Sequence, residues 1–137
     1  IIHPPTNTEK NQIISNATAT IITKALRKVV TIGTGKSANS QKFTTAGKTG
    51  TAEKFDQIKK HYSKQKRIAS FVGFAPAFDP HLVVYVVIDE PKEKPYYGGK
   101  WAAPVFKEII DKTLTYLNVS PNIEPLAQQT STKTTTL

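Results

Sequence analysis

The chain has 137 residues, a net charge of +9 and no cysteine. That length suits one compact domain with one core, and the missing thiols exclude disulfides, zinc fingers, iron–sulfur clusters and cysteine nucleophiles. The longest apolar run, residues 82–88, is seven residues long, far short of the ~20 a membrane-spanning helix needs.

In chain order, residues 1–13 contain Pro4 and Pro5 and no periodicity, which predicts an extended lead-in. Ile14, Ala17, Ile21, Ile22, Ala25, Leu26 and Val29 then recur at three- and four-residue steps. That period predicts an amphipathic helix over 16–31, with Ser15 as its N-cap and Gly33 and Gly35 ending it. Residues 33–42 read as a polar loop. Residues 43–53 are threonine-rich and read as a strand, interrupted by Gly47 and Gly50, where glycine marks close approach of a ligand or a second backbone. Residues 54–66 read as a charged loop.

Residues 68–75 and 82–88 read as two more strands joined through the Pro76–Pro80 turn. The second is apolar on both faces, which predicts cover on both sides. Residues 89–99, with Pro91, Pro95 and a Gly-Gly pair, read as a loop. Ala102, Phe106, Ile109, Ile110, Thr113, Leu114 and Leu117 predict a second helix over 102–118, with Pro104 in its first turn and Asn118 closing it. Residues 119–137 are polar and predict a disordered tail. The fold class is therefore α+β, an antiparallel sheet of three strands flanked by an N-terminal and a C-terminal helix.

The charge is concentrated. Residues 24–67 carry ten Lys and two Arg against Glu53 and Asp56, a net of +10, and the rest of the chain is close to neutral. Such a block reads as a solvated lysine face or as a site for an anion. Lys59, Lys60, Lys64, Lys66 and Arg67, with His61 and Tyr62 among them, leave open a non-catalytic basic module that binds nucleic acid or another acidic ligand. Gly35-Lys36-Ser37 and Gly47-Lys48-Thr49 imitate phosphate loops, but Val30 and Lys42 stand where such a loop needs its first glycine. His3, His61 and His81 have no ligand spacing, so no metal and no cofactor is expected.

The informative string is Lys48-Thr49-Gly50-Thr51. A lysine on a strand at the edge of a sheet often serves only to block aggregation. The same edge can take an extended peptide as an added strand, with Gly50 admitting its backbone. Lys48 and the hydroxyls of Thr49 and Thr51 can hold a terminal carboxylate through charge-assisted hydrogen bonds.

Taken together, GTGKSA at 33–38, AGKTGTAEK at 46–54, SFVGFAPAFDP at 70–80 and YYGGKWAAPVF at 96–106 resemble, in order and spacing, the C-terminal part of the transpeptidase domain of the class B penicillin-binding proteins. The resemblance covers about residues 14–118 and implies a serine β-lactamase/transpeptidase-like fold; Trp101 is larger than the family pattern leads one to expect. The family carries S-x-x-K, S-x-N and K-T-G in that order. Only the K-T-G motif, Lys48-Thr49-Gly50, is in place. Ser63–Lys66 and Ser37–Asn39 match the other two by letter but in the wrong order or at the wrong spacing. With no methionine and a start at Ile1, the chain is expected to be a portion of a longer protein whose nucleophilic serine lies upstream.

The resemblance implies a peptidoglycan D,D-transpeptidase of the bacterial cell envelope, acting on the periplasmic side of the inner membrane through an anchor outside this segment. Its partners would be the D-Ala-D-Ala end of a stem peptide, β-lactam antibiotics and the remainder of the transpeptidase domain, with no nucleic acid and no metal. Thr51 would donate an oxyanion-hole N–H, Thr49, Gly50 and Thr51 would line the substrate site, and Lys48 would reach toward the S-x-N serine.

Overall fold

The computed structural model describes residues 12–123, the Lys64 side chain excepted. The expected lead-in over 1–11 and tail over 124–137 lie outside the described residues. Element order is α1 (Asn16–Thr31), a short 3-10 turn (Lys36–Ala38), β1 (Ala46–Asp56), β2 (His61–Ala75), β3 (Leu82–Asp89) and α2 (Gly98–Tyr116). The three strands form one antiparallel sheet in the order β1-β2-β3.

Both helices end as local chemistry dictates. Ser15 Oγ accepts from Thr18 N at 3.1 Å, capping α1. At the end of α2, Asn118 takes a left-handed φ of 56°. Val119 N then reaches Leu114 O and Asn118 N reaches Thr115 O, a Schellman closure.

One face of the sheet carries the core. Phe71 and Ala75 of β2, with Val86 of β3, pack against Ala102, Phe106, Ile110 and Leu114 of α2. The rings of Phe71 and Phe106 lie 4.8 Å apart. Phe43 and Val30 complete the cluster from the flanking segments.

Four sequence expectations change. Residues 54–66 are not a charged loop: β1 continues to Asp56, and β2 begins at His61. The polar composition conceals cross-strand pairs. The rings of Phe55 and Tyr62 meet edge to face at 5.3 Å, Arg67 Nη2 pairs with Glu53 Oε1 at 2.9 Å, and Asp56 Oδ1 accepts from the Ile58 and Lys59 amides in the turn.

The second helix starts at Gly98, not 102, so Pro104 sits inside it instead of in its first turn. The Gly-Gly pair is not a breaker here but a contact surface. A Cβ at Gly98 would strike the carbonyl oxygens of Ser70 and Gly50, and one at Gly99 would strike that of Thr34.

The strand β3 is not covered on both sides. Leu82, Val84, Val86 and Ile88 turn toward α2, while Val83, Tyr85 and Val87 are exposed, with Val83 at 68%. Nor are the first residues of the expected tail free. Asn122 and Ile123 amides donate to Lys42 O, Asn122 Oδ1 accepts from Thr44 N at 2.7 Å, and Asn122 Nδ2 donates to Thr44 Oγ1.

Candidate functional site

Strand β1 pairs with β2 along one side only, so among the described residues its other edge is open. The register sets Lys48 opposite Val72, Thr49 opposite Phe71, Gly50 opposite Ser70 and Thr51 opposite Ala69. Phe71 and Ala69 face the core, so strand alternation sends Thr49 and Thr51 to the helix-covered face and Lys48 and Gly50 to the open face. The four predicted residues thus divide into two pairs that meet at the strand edge.

On the helix side, Thr34, Thr49, Thr51, Tyr97, Gly99 and Lys100 line a recess of ≈ 380 Å³. Thr49 Oγ1 lies 2.9 Å from Thr34 Oγ1. Thr34 belongs to the 33–42 loop, which is tied down by charge and by hydroxyl. Arg27 Nη1 donates to Asn39 Oδ1 and to Thr45 O, and Thr45 Oγ1 donates to Ala38 O. Partial burial lowers the Arg27 pKa by disfavouring its charge. The first turn of α2 forms the wall beside this loop, and the free amides of a helix N-terminus favour an anion.

Lys48, Thr49, Gly50, Ser70, Val72 and Tyr85 border a second recess toward the open face. The Lys48 ammonium donates to Thr49 O at 3.1 Å and is exposed. Gly50 sits directly over Ser70, whose hydroxyl occupies the space a Cβ would take.

Thr34 and Ser70 are the residues that sequence reasoning did not single out. The GTGKSA string held the first signal, but nothing in its spacing showed which hydroxyl meets β1. The two letter matches join neither recess. Asn39 is engaged by Arg27, and Ser63 Oγ accepts from the Gln65 and Lys66 amides at the distal hairpin.

Three cations of the basic block, Lys54, Lys66 and Arg67, pair with carboxylates. Lys54 Nζ contacts Asp89 Oδ2 at 2.7 Å and Glu90 Oε1 at 2.8 Å, and Lys66 Nζ approaches the same Glu90 oxygen at 3.5 Å. These hydrogen bonds raise the Lys54 pKa and lower that of Glu90. The reading as a non-catalytic basic module finds no support.

Comparison with known proteins agrees with the geometry. Residues 3–111 match the family described as penicillin binding protein transpeptidase domain. The chain is 44% identical over 128 residues to stage V sporulation protein D of Bacillus subtilis, covering 91% of this chain and 20% of that protein. It is 40% identical over 90 residues to the peptidoglycan D,D-transpeptidase FtsI of Buchnera aphidicola (subspecies Baizongia pistaciae), covering 66% of this chain and 15% of that protein. Among solved structures, the apo transpeptidase domain of penicillin-binding protein 3 from Burkholderia pseudomallei superposes with a TM-score of 0.73 at 39% identity, covering 83% of this chain and 34% of that one. Penicillin-binding protein 3 of Mycobacterium tuberculosis in complex with aztreonam gives 0.70 at 30% identity, covering 80% and 26%. The chain thus spans about a fifth of the relatives it matches and about a third of the domain structures. With its K-T-G strand open at the edge of an antiparallel sheet and α2 packed beneath it, the chain belongs to the penicillin-binding protein transpeptidase domain family.

Proposed function

We propose that this chain is the K-T-G-bearing wall of a serine-type peptidoglycan D,D-transpeptidase of the cell envelope, one that β-lactams acylate. The observation that carries this reading is the open edge of β1 with Lys48, Thr49, Gly50 and Thr51 along it. An extended peptide joins such an edge as a further strand.

A serine from the remainder of the domain attacks the carbonyl of the penultimate D-alanine. The Ser Oγ–C bond forms, the amide C–N bond breaks, and the terminal D-alanine leaves as an amine after taking up a proton. The amine of a neighbouring stem peptide then attacks the ester, forms the new amide and returns the serine with its proton. This is two-step covalent catalysis.

The residues here prepare that chemistry. The Thr51 N–H donates to the oxyanion, a contact whose removal typically lowers the rate about 10²- to 10³-fold. Thr49 and Thr51 hold the substrate carboxylate beside the N-terminus of α2. Lys48, on the other face, projects toward the S-x-N serine. The uncovered apolar face of β3 is the surface on which the remainder of the domain would rest.

Fluorescent penicillin tests the proposal. The complete domain should acquire a covalent label and the isolated chain none. Lys48→Ala should abolish nearly all labelling while unfolding as the wild type does, because its ammonium touches only the neighbouring Thr49 carbonyl. Undiminished labelling of Lys48→Ala, or a label on Ser63 or Ser37 of the isolated chain, would refute it.

A further inference from the structure

Among the described residues the buried polar side chains are Ser40 and Thr45, and both lie in the link between the Thr34 loop and β1. Ser40 Oγ accepts from the Lys42 and Phe43 amides and donates to Asp111 Oδ1 of α2. Thr45 Oγ1 donates to Ala38 O at 2.9 Å. A polar joint thus sits inside otherwise apolar packing.

Arg27 of α1 closes this joint. Its Nη1 donates to Asn39 Oδ1 at 3.1 Å and to Thr45 O at 3.0 Å. One guanidinium NH2 group carries two hydrogens in a fixed plane, so it holds two acceptors at a set angle. Both acceptors are neutral, and no carboxylate pairs with Arg27 among the described residues. Desolvating an unpaired guanidinium costs stability. The chain nevertheless keeps one where loop and strand meet.

These contacts close a ring. Residues 34–39 form one side and residues 45–49 the other. Arg27 and the Thr45–Ala38 bond tie the far end, and the hydroxyls of Thr34 and Thr49 tie the end at the recess. The start of the loop is held separately, by the Gly33 and Gly35 amides donating to Lys28 O and Val29 O. The seat of Thr34 relative to Thr49 therefore depends on the far tie, although Arg27 does not line the recess.

Resting on the function proposed above, we infer that Arg27 is a positioning residue for carboxylate recognition. Through Asn39 and Thr45 it sets where Thr34 meets Thr49, without touching the ligand.

The test is a double-mutant cycle in the complete domain. It is read as the second-order rate of acylation by a penicillin and by the methyl ester of its ring carboxylate. Arg27→Met keeps an apolar stem and removes every donor. It should slow the free acid about two- to tenfold, the worth of the single neutral hydrogen bond it acts through, and leave the ester within about twofold. In a Thr34→Val background the same change should cost less than about twofold more, because two residues acting through one bond are not additive. Asn39→Ala should repeat this pattern, and Asn39→Asp, which keeps the acceptor, should hold the wild-type rate. The Asn39 pair carries the test if Arg27→Met does not fold. Equal losses in the two backgrounds, equal losses for acid and ester, or no loss at all would overturn the inference, while penicillin labelling of the wild type still upheld the transpeptidase reading. A wild-type domain that no penicillin acylates would refute both.

Discussion

Thr34 Oγ1 and Thr49 Oγ1 lie 2.9 Å apart, two hydroxyls that share one hydrogen bond across 15 positions of sequence. Each hydroxyl has a single proton to donate. When Thr34 donates to Thr49, the Thr49 proton is free for an incoming carboxylate. Without Thr34, that rotor has no fixed acceptor role. In the complete domain, Thr34→Val is expected to lower the second-order rate of acylation by a carboxylate-bearing β-lactam about two- to tenfold, the range of one neutral hydrogen bond. Thr34→Ser should restore it. Stopped-flow acylation of the three proteins decides the point, and equal rates would refute the role.

Two glycines at the site should behave in opposite ways. At Gly98, a Cβ meets the backbone oxygens of Ser70 and Gly50, which cannot turn aside. Gly98→Ala should destabilise the fold by about 1–3 kcal/mol, as overpacking does. At Gly50, the obstacle is the Ser70 hydroxyl, which can rotate away. Gly50→Ala should therefore leave stability within about 0.5 kcal/mol of wild type and impair acylation instead. Urea unfolding of both variants measures the contrast, and an equal loss of stability in the two would contradict it.

Phe106 is fully buried and its ring packs at a tilt of 53° against Phe71. Phe106→Ala should lower unfolding free energy by about 3–5 kcal/mol. A loss below 1 kcal/mol in chemical denaturation would show that α2 is not seated as described.

Acid should loosen the tie between the distal part of β1 and the end of β3. Glu90 is held below its ordinary 4.5 chiefly by its hydrogen bond from Lys54. A depressed carboxylate contributes stability that is present above its unfolded pKa and lost as pH falls through the folded one. Lys54 is raised above 10.5, chiefly by Asp89 and Glu90, so its share is present below 10.5 and lost as pH rises through the higher folded value. Hydrogen-exchange protection around Lys54 and Glu90 should be flat between these limits and fall below 4.5. Glu90→Gln should remove most of the acid limb, and an unchanged limb would refute the pairing.

The parts of the fold governed by local chemistry were legible in the residues. The α1 stripe, its Ser15 cap and the Asn118 terminus need only near neighbours, and the structure has them where the period and capping preferences put them. What escaped depends on distant partners. The hairpin over 54–66 looked like a loop because its strand character comes from Phe55 meeting Tyr62 and Glu53 meeting Arg67. The start of α2 was misplaced because Gly98 and Gly99 look like breakers until Ser70, Gly50 and Thr34 press against them. The K-T-G residues were evident, but their division between two faces follows only from the register with β2.

The glycine contact at the head of α2 has a mechanical consequence. The helix that fills the core with Phe106, Ile110 and Leu114 also bears, through its first turn, on the Thr34 and Gly50 carbonyls. Core and ligand edge therefore share one lever. A substitution at Ala102 or Ala103, both fully buried on that helix, would reseat the lever and shift Thr34 relative to Thr49. On the proposed function, β-lactam acylation would thus respond to side chains that no ligand touches.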